Sequence, residues 1–315
     1  MRAPRHPRRH GVLASAAALA LAVSLTPTTP ASALMDPSPD KAPVAVGSGG
    51  AVSTVDPDAT RVGLEVLAKG GNAVDAAVAA AATLGVTEPF SAGIGGGGFF
   101  VYYDARSQRV RTIDGRETAP ASMRSDSFVE NGTPIPFDDA VTSGLSVGVP
   151  GTPATWDEAL VKWGTISLAA ALKGATQVAR RGFVVDQTFA GQIDANKSRF
   201  ADFTSTSKLY LPGGATPAVG SIFRNRDLAA TYDLIARRGV DAIYTGTLGR
   251  DIVRTVRQPP VASTATRVVR PGLMRLADIA AYEAPGRKPT ECRTAGSTCT
   301  EWLRRRRAAR PSARR

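Results

Sequence analysis

Gly70–Asp104 reads GGNAVDAAVAAAATLGVTEPFSAGIGGGGFFVYYD and changes its period twice. Asn72 is a helix cap, and the run that follows it, Ala73–Leu84, is apolar on all sides except at Asp75. An all-round apolar helix belongs inside a core, so Ala73–Leu84 is expected to be buried on every side, its alanines allowing close approach. Glu88-Pro89 ends the helical pattern, and Phe99–Asp104 (FFVYYD) has the aromatic and β-branched character of a strand. Between them, Gly93–Gly98 formally satisfies G-x-G-x-x-G. A dinucleotide site needs a strand before that motif and a helix after it, and here the order is inverted. The glycines therefore read as a turn where backbones approach closely.

On the N-terminal side, Asp56 caps a helix with Pro57 at its first position, and Ala59, Val62, Val66 and Leu67 recur at helical spacing until Gly70-Gly71. This helix and the alanine-rich one form an αα-hairpin. Val44–Thr54 reads as two short strands around Gly47–Gly50. Phe99–Asp104 and Val110–Asp114 predict a β-hairpin turning at Ala105-Arg106-Ser107. Trp156–Trp163, Leu168–Arg180, Leu228–Arg238 and Leu248–Val256 carry helical periodicity, and short strands are expected at Phe183–Val185 and Ala242–Tyr244. The mixture is α/β or α+β, with no internal repeat and no linker that would split the body.

The chain has 315 residues, of which 43% are hydrophobic and 21% charged, enough for a sizeable core. The net charge of +12 suggests a nucleic-acid partner, but its distribution excludes one. Four arginines lie before Gly11, and seven lie beyond Arg293 against Glu301 alone, so the body carries only +2. The N-terminus has the pattern of a secretory signal: a basic start, the apolar stretch Gly11–Leu25 and the A-x-A site Ala31-Ser32-Ala33. Residues 1–33 are thus expected to be removed and the protein secreted, without a stable membrane anchor, since the apolar run is shorter than the roughly 20 residues of a span. Residues 34–42 form a flexible Pro-rich lead-in. Both histidines, His6 and His10, fall in the removed segment, which excludes Ser-His-Asp and Cys-His catalysis from the remainder. Cys292 and Cys299 are too few for a disulfide scaffold.

Two stretches could carry chemistry. Asp114-Gly115-Arg116-Glu117 sits at a strand end, where an arginine can grip a carboxylate with two parallel bonds. The alternative is a structural Arg116 paired with Asp114 or Glu117. Gly148-Val149-Pro150-Gly151 is a turn opening a helix, whose amides either meet an anion or serve the cap.

The Gly70–Asp104 run, then TIDGRETAP (Thr112–Pro120) and SVGVPGTPATWDEALVKWG (Ser146–Gly164), resemble the large-subunit half of the γ-glutamyltransferases, also called γ-glutamyltranspeptidases or glutathione hydrolases. RNRDLAATYDLIARRGVDAIYTG (Arg224–Gly246) and LADIAAYEA (Leu276–Ala284) fit the same family in order. The resemblance covers residues 43–293. It implies an α+β fold, the N-terminal-nucleophile hydrolase αββα sandwich, here incomplete because only the large-subunit half is present. It implies a precursor that cleaves itself, after which the new N-terminal Thr of the small subunit attacks the γ-glutamyl amide of glutathione or another γ-glutamyl compound, its own α-amine serving as base. No cofactor or metal is expected, and the resemblance assigns to Arg116 the α-carboxylate of the γ-glutamyl group. An acylase of related architecture, acting on cephalosporin side chains, and a non-catalytic γ-glutamyl-binding remnant are the alternatives.

Beyond Arg293 the resemblance stops. Residues 294–315 are Arg-rich, lack apolar periodicity and are expected to be disordered. One choice of synonymous codons for Thr294–Ala309 reads, one base earlier, YRGLDVYGMAPPSSGG, which is what the family carries at that place. The expectation is a frameshifted tail and a chain that lacks the nucleophilic Thr, the self-cleavage site and most of the oxyanion hole, and is therefore inactive.

Overall fold

Asn72 caps the alanine-rich helix as its side chain suggests, accepting hydrogen bonds from the amides of Val74 (2.8 Å) and Asp75 (3.0 Å), while Asp75 accepts from the Asn72 amide at 2.8 Å. The helix runs Ala73–Thr87 in a computed structural model that describes residues 44–294 and 297–301. The expected signal peptide (1–33), the lead-in (34–42) and the tail from 302 onward lie outside the described residues. Asp75, the one charge in the apolar run, is fully buried and ties the helix to the loop after Trp163. It accepts from the amides of Thr165 (2.8 Å) and Ile166 (3.3 Å) and from the Thr165 hydroxyl (2.5 Å). Burial raises its pKa, but the hydrogen bonds from Thr165, Asn72 and Ile166 outweigh burial and hold it below the ordinary carboxylate value.

The helix Pro57–Ala68, capped by Asp56, packs along the alanine-rich helix, and Leu168–Arg181 packs on another side of it. Leu168–Arg181 also packs against Arg226–Arg238, whose Tyr232 is fully buried and donates its hydroxyl to Ala82 O at 2.9 Å. Burial on all sides is nevertheless too strong an expectation for Ala73–Thr87. Ala73 and Ala77 are exposed and Ala81 and Leu84 only half-buried, so one stripe stays open. The alanines that permit close packing occupy the whole circumference, and composition alone cannot show which side is left uncovered.

This difference yields a test. Ala80 is 3% exposed, so Ala80→Leu forces a larger side chain into packed surroundings and is expected to destabilise by about 1–3 kcal/mol. Ala77→Leu is expected to stay within about 0.5 kcal/mol of wild type. Urea midpoints distinguish the two, and equal shifts would contradict the packing described.

Gly98–Asp104 and Arg109–Gly115 form the predicted antiparallel hairpin, from Gly98 opposite Gly115 to Asp104 opposite Arg109. Gly286–Arg287 adds a third strand beside Thr112 and Ile113. Along the edge strand the faces alternate. Phe100 and Tyr102 pack against Trp163 of the helix Thr152–Trp163, whereas Phe99, Val101 and Tyr103 point outward, 41–57% exposed. Helices thus cover one face of a small sheet, and on the other the edge strand presents an apolar row. This is an α+β architecture, one sheet-and-helix half of a sandwich.

Three local expectations need correction. Val44–Thr54 forms no ladder with any described strand: residues 44–51 are exposed, and a short pair without further strands is marginal. Ala242–Tyr244 belongs to a helical turn, Asp241–Tyr244, closed by Tyr244 N to Val240 O at 3.1 Å. All three side chains are buried, and so short an apolar run has no period to read. Of the segment 294–315 expected to be disordered, Thr294 and Ser297–Glu301 belong to a hairpin with Thr290–Arg293, and the rest lies outside the described residues. Phe183–Val184 is a strand as expected, paired with Ile222–Phe223.

Candidate functional site

Arg116 follows directly on the strand Arg109–Gly115, at the corner where four segments meet. The glycine run forms the first wall. A Cβ on Gly97 would lie against Gly115 O and 2.8 Å from Glu117 N, so only glycine lets the backbones pass this closely. A short helical turn, Pro89–Ala92, precedes the run and the edge strand follows it, an arrangement opposite to that of a dinucleotide loop. The turn Gly148–Gly151 forms the second wall. Val149 N donates to Thr118 O (2.9 Å), and Gly151 N and Thr152 N both donate to Gly96 O (2.9 and 3.1 Å). These amides are therefore engaged with backbone, and the anion reading of this turn does not hold.

Tyr282 supplies the third contact. Its hydroxyl donates to Arg116 O at 2.8 Å, and its ring stacks on Tyr244 at a centroid distance of 5.7 Å. Tyr244 in turn donates to Pro150 O at 2.9 Å. Burial, with Asp114 and Glu117 nearby, pushes the Tyr282 hydroxyl up to about 12, so it stays a donor throughout the neutral range. Sequence spacing gives no sign of this bond, which joins positions 166 apart.

The backbone of Arg116 is thus pinned while its side chain stands 60% exposed. Asp114, one of its two expected partners, is taken by Arg287 (Nε to Oδ2, 3.2 Å) and accepts from the Arg116 amide at 3.3 Å. The other, Glu117, approaches Arg116 Nε with Oε2 at 3.4 Å, and that buried oxygen has no hydrogen-bond partner among the described residues. One loose contact leaves most of the guanidinium fork available to a carboxylate.

The γ-glutamyltranspeptidase family profile matches residues 59–302, more than three quarters of the chain. The chain belongs to the γ-glutamyltranspeptidase family. A glutathione hydrolase proenzyme of Bacillus subtilis (strain 168) is 42% identical over 215 residues, covering 68% of this chain and 36% of that relative. Acylase ACY 1 proenzyme of Pseudomonas sp. (strain SE83) is 36% identical over 251 residues, 78% of this chain and 43% of the relative. The crystal structure of Helicobacter pylori γ-glutamyltranspeptidase superposes with a TM-score of 0.76 at 29% identity, covering 83% of this chain and 72% of that one. The chain spans well under half the length of these curated relatives. The likeness to solved family structures is that of the N-terminal-nucleophile hydrolase fold, carried here in its large-subunit part.

Among the described residues no helix is long and apolar enough to cross a membrane.

Proposed function

We propose that this chain is the substrate-gripping half of a secreted γ-glutamyltransferase or glutathione hydrolase, with Arg116 holding the α-carboxylate of the γ-glutamyl group. The observation that carries this reading is the Arg116 guanidinium itself. It is fixed at its backbone, exposed at its head, and relieved of Asp114 by Arg287. In the proposed reaction the hydroxyl of an N-terminal Thr adds to the γ-carbonyl carbon. The C–N bond breaks, the leaving amine takes the proton held by the Thr α-amine, and water or an acceptor amine then cleaves the resulting ester. An internal Thr has no free α-amine, so the 315-residue chain on its own is inactive in this account, and the nucleophile comes from the small subunit of the same precursor. Release of a chromophore from a γ-glutamyl anilide, wild type against Arg116→Lys, tests the assignment. The likeness to Acylase ACY 1 supports a second reading, in which the acyl group is a cephalosporin side chain. Hydrolysis of that amide in preference to the γ-glutamyl anilide would establish it.

Secretion is supported by the basic start, the apolar Gly11–Leu25 and the Ala31-Ser32-Ala33 site. Protein recovered from the medium is expected to begin near Leu34. A cytoplasmic product still carrying Met1 would contradict it.

A further inference from the structure

A cavity of about 340 Å³, sharing no lining residue with the Arg116 corner, lies among the segments Val141–Val147, Asn196–Thr206 and Thr255–Pro260. Its walls are held from several directions. Gly144 N donates to Arg270 O (2.9 Å), Gly272 N to Val256 O (2.8 Å) and Thr204 N to Pro260 O (2.9 Å). Arg267 bridges Asp139 (2.7 Å), in the helix Phe137–Val141, and Asp202 (3.0 Å), which follows the helix Lys197–Ala201. The cavity is therefore built into the fold.

Its lining surface is largely apolar, and Val147, Phe200, Phe203, Val256, Pro259 and Pro260 are among the residues that form it. Two polar side chains stand out against that background. Thr142 is only 6% exposed, and its hydroxyl has no hydrogen-bond partner among the described residues. Arg199 is partly buried and forms no ion pair with a described carboxylate. The nearby acids, Asp139 and Asp202, are both held by Arg267. A cation that forms no ion pair with a described carboxylate, set among largely apolar lining residues, is complementary to an anion with an apolar body. The volume falls in the range of sites that take a whole small molecule.

We propose that this cavity binds a small amphiphilic carboxylate, its head on the Arg199 guanidinium and its apolar body against Phe200, Phe203 and Val256. Octanoate is a suitable probe, titrated calorimetrically into the 315-residue chain, with octylammonium as the charge-reversed control. Saturable octanoate binding is expected, with none for octylammonium. Arg199→Gln is expected to weaken it about tenfold or more, as the loss of a charge-assisted bond implies. Arg199 forms no ion pair with a described carboxylate, so this variant removes none. Arg116→Ala, at a corner that shares no lining residue with the cavity, is expected to leave binding unchanged. Absence of octanoate binding, equal binding by wild type and Arg199→Gln, comparable binding of octylammonium, or loss of binding in Arg116→Ala would each overturn the proposal.

Discussion

Arg116→Lys is expected to lower kcat/KM for a γ-glutamyl anilide by about one to two decades, measured in the protein continued through the second half of the family's length. The guanidinium offers a planar fork to a carboxylate, and an ammonium offers a point charge. Losing one charge-assisted bond is worth roughly 1.5–3 kcal/mol, which gives that range. The backbone of Arg116 is set by Tyr282 and by the Asp114 carboxylate, so the substitution leaves the corner itself intact. Self-cleavage involves no substrate carboxylate and should proceed as in wild type, separating loss of grip from loss of fold. An unchanged kcat/KM would make Arg116 no more than the partner of Glu117.

Asp75→Ala is expected to destabilise the protein by about 3 kcal/mol or more. The substitution strands the amides of Asn72, Thr165 and Ile166 and the hydroxyl of Thr165 around a site closed to solvent. Each buried donor left without an acceptor costs roughly 1–3 kcal/mol, although water will reach some of them once the side chain is gone. The pH dependence has a definite sign. The carboxyl is depressed below its unfolded value of about 3.9, so its contribution is present above about pH 4 and is lost as pH falls through the folded-state value. The stability gap between wild type and Asp75→Asn should therefore narrow on acidification from pH 7 to about pH 3. A gap that is constant across this range would mean that Asp75 is not held as the charged form.

Local signals made much of this fold readable. Asp56 with Pro57, and Asn72, mark helix starts because capping is written within three residues. The hairpin of Gly98–Gly115 is likewise local, and it places Arg116 at a strand end. What stayed hidden depends on distant partners. Asp114 and Glu117 are equally plausible partners for Arg116 until Arg287, far along the chain, takes Asp114. Tyr282 fixes Arg116 from the segment Leu276–Ala284, which as sequence is only one more family motif. The turn Gly148–Gly151 offers its amides in sequence and has them engaged by Gly96 and Thr118 in the fold. Asp241–Tyr244 and the open stripe at Ala77 are decided by what packs against them, which neither periodicity nor composition records.

In the proposed reaction Arg116 grips the γ-glutamyl group and the attacking Thr comes from a small subunit. The most direct measurement is turnover of a γ-glutamyl anilide by the 315-residue chain, beside the same chain continued in the shifted frame from Thr294. No product is expected from the first, and self-cleavage followed by turnover from the second. Product released by the 315-residue chain alone would place the nucleophile in this half and contradict the proposed reaction.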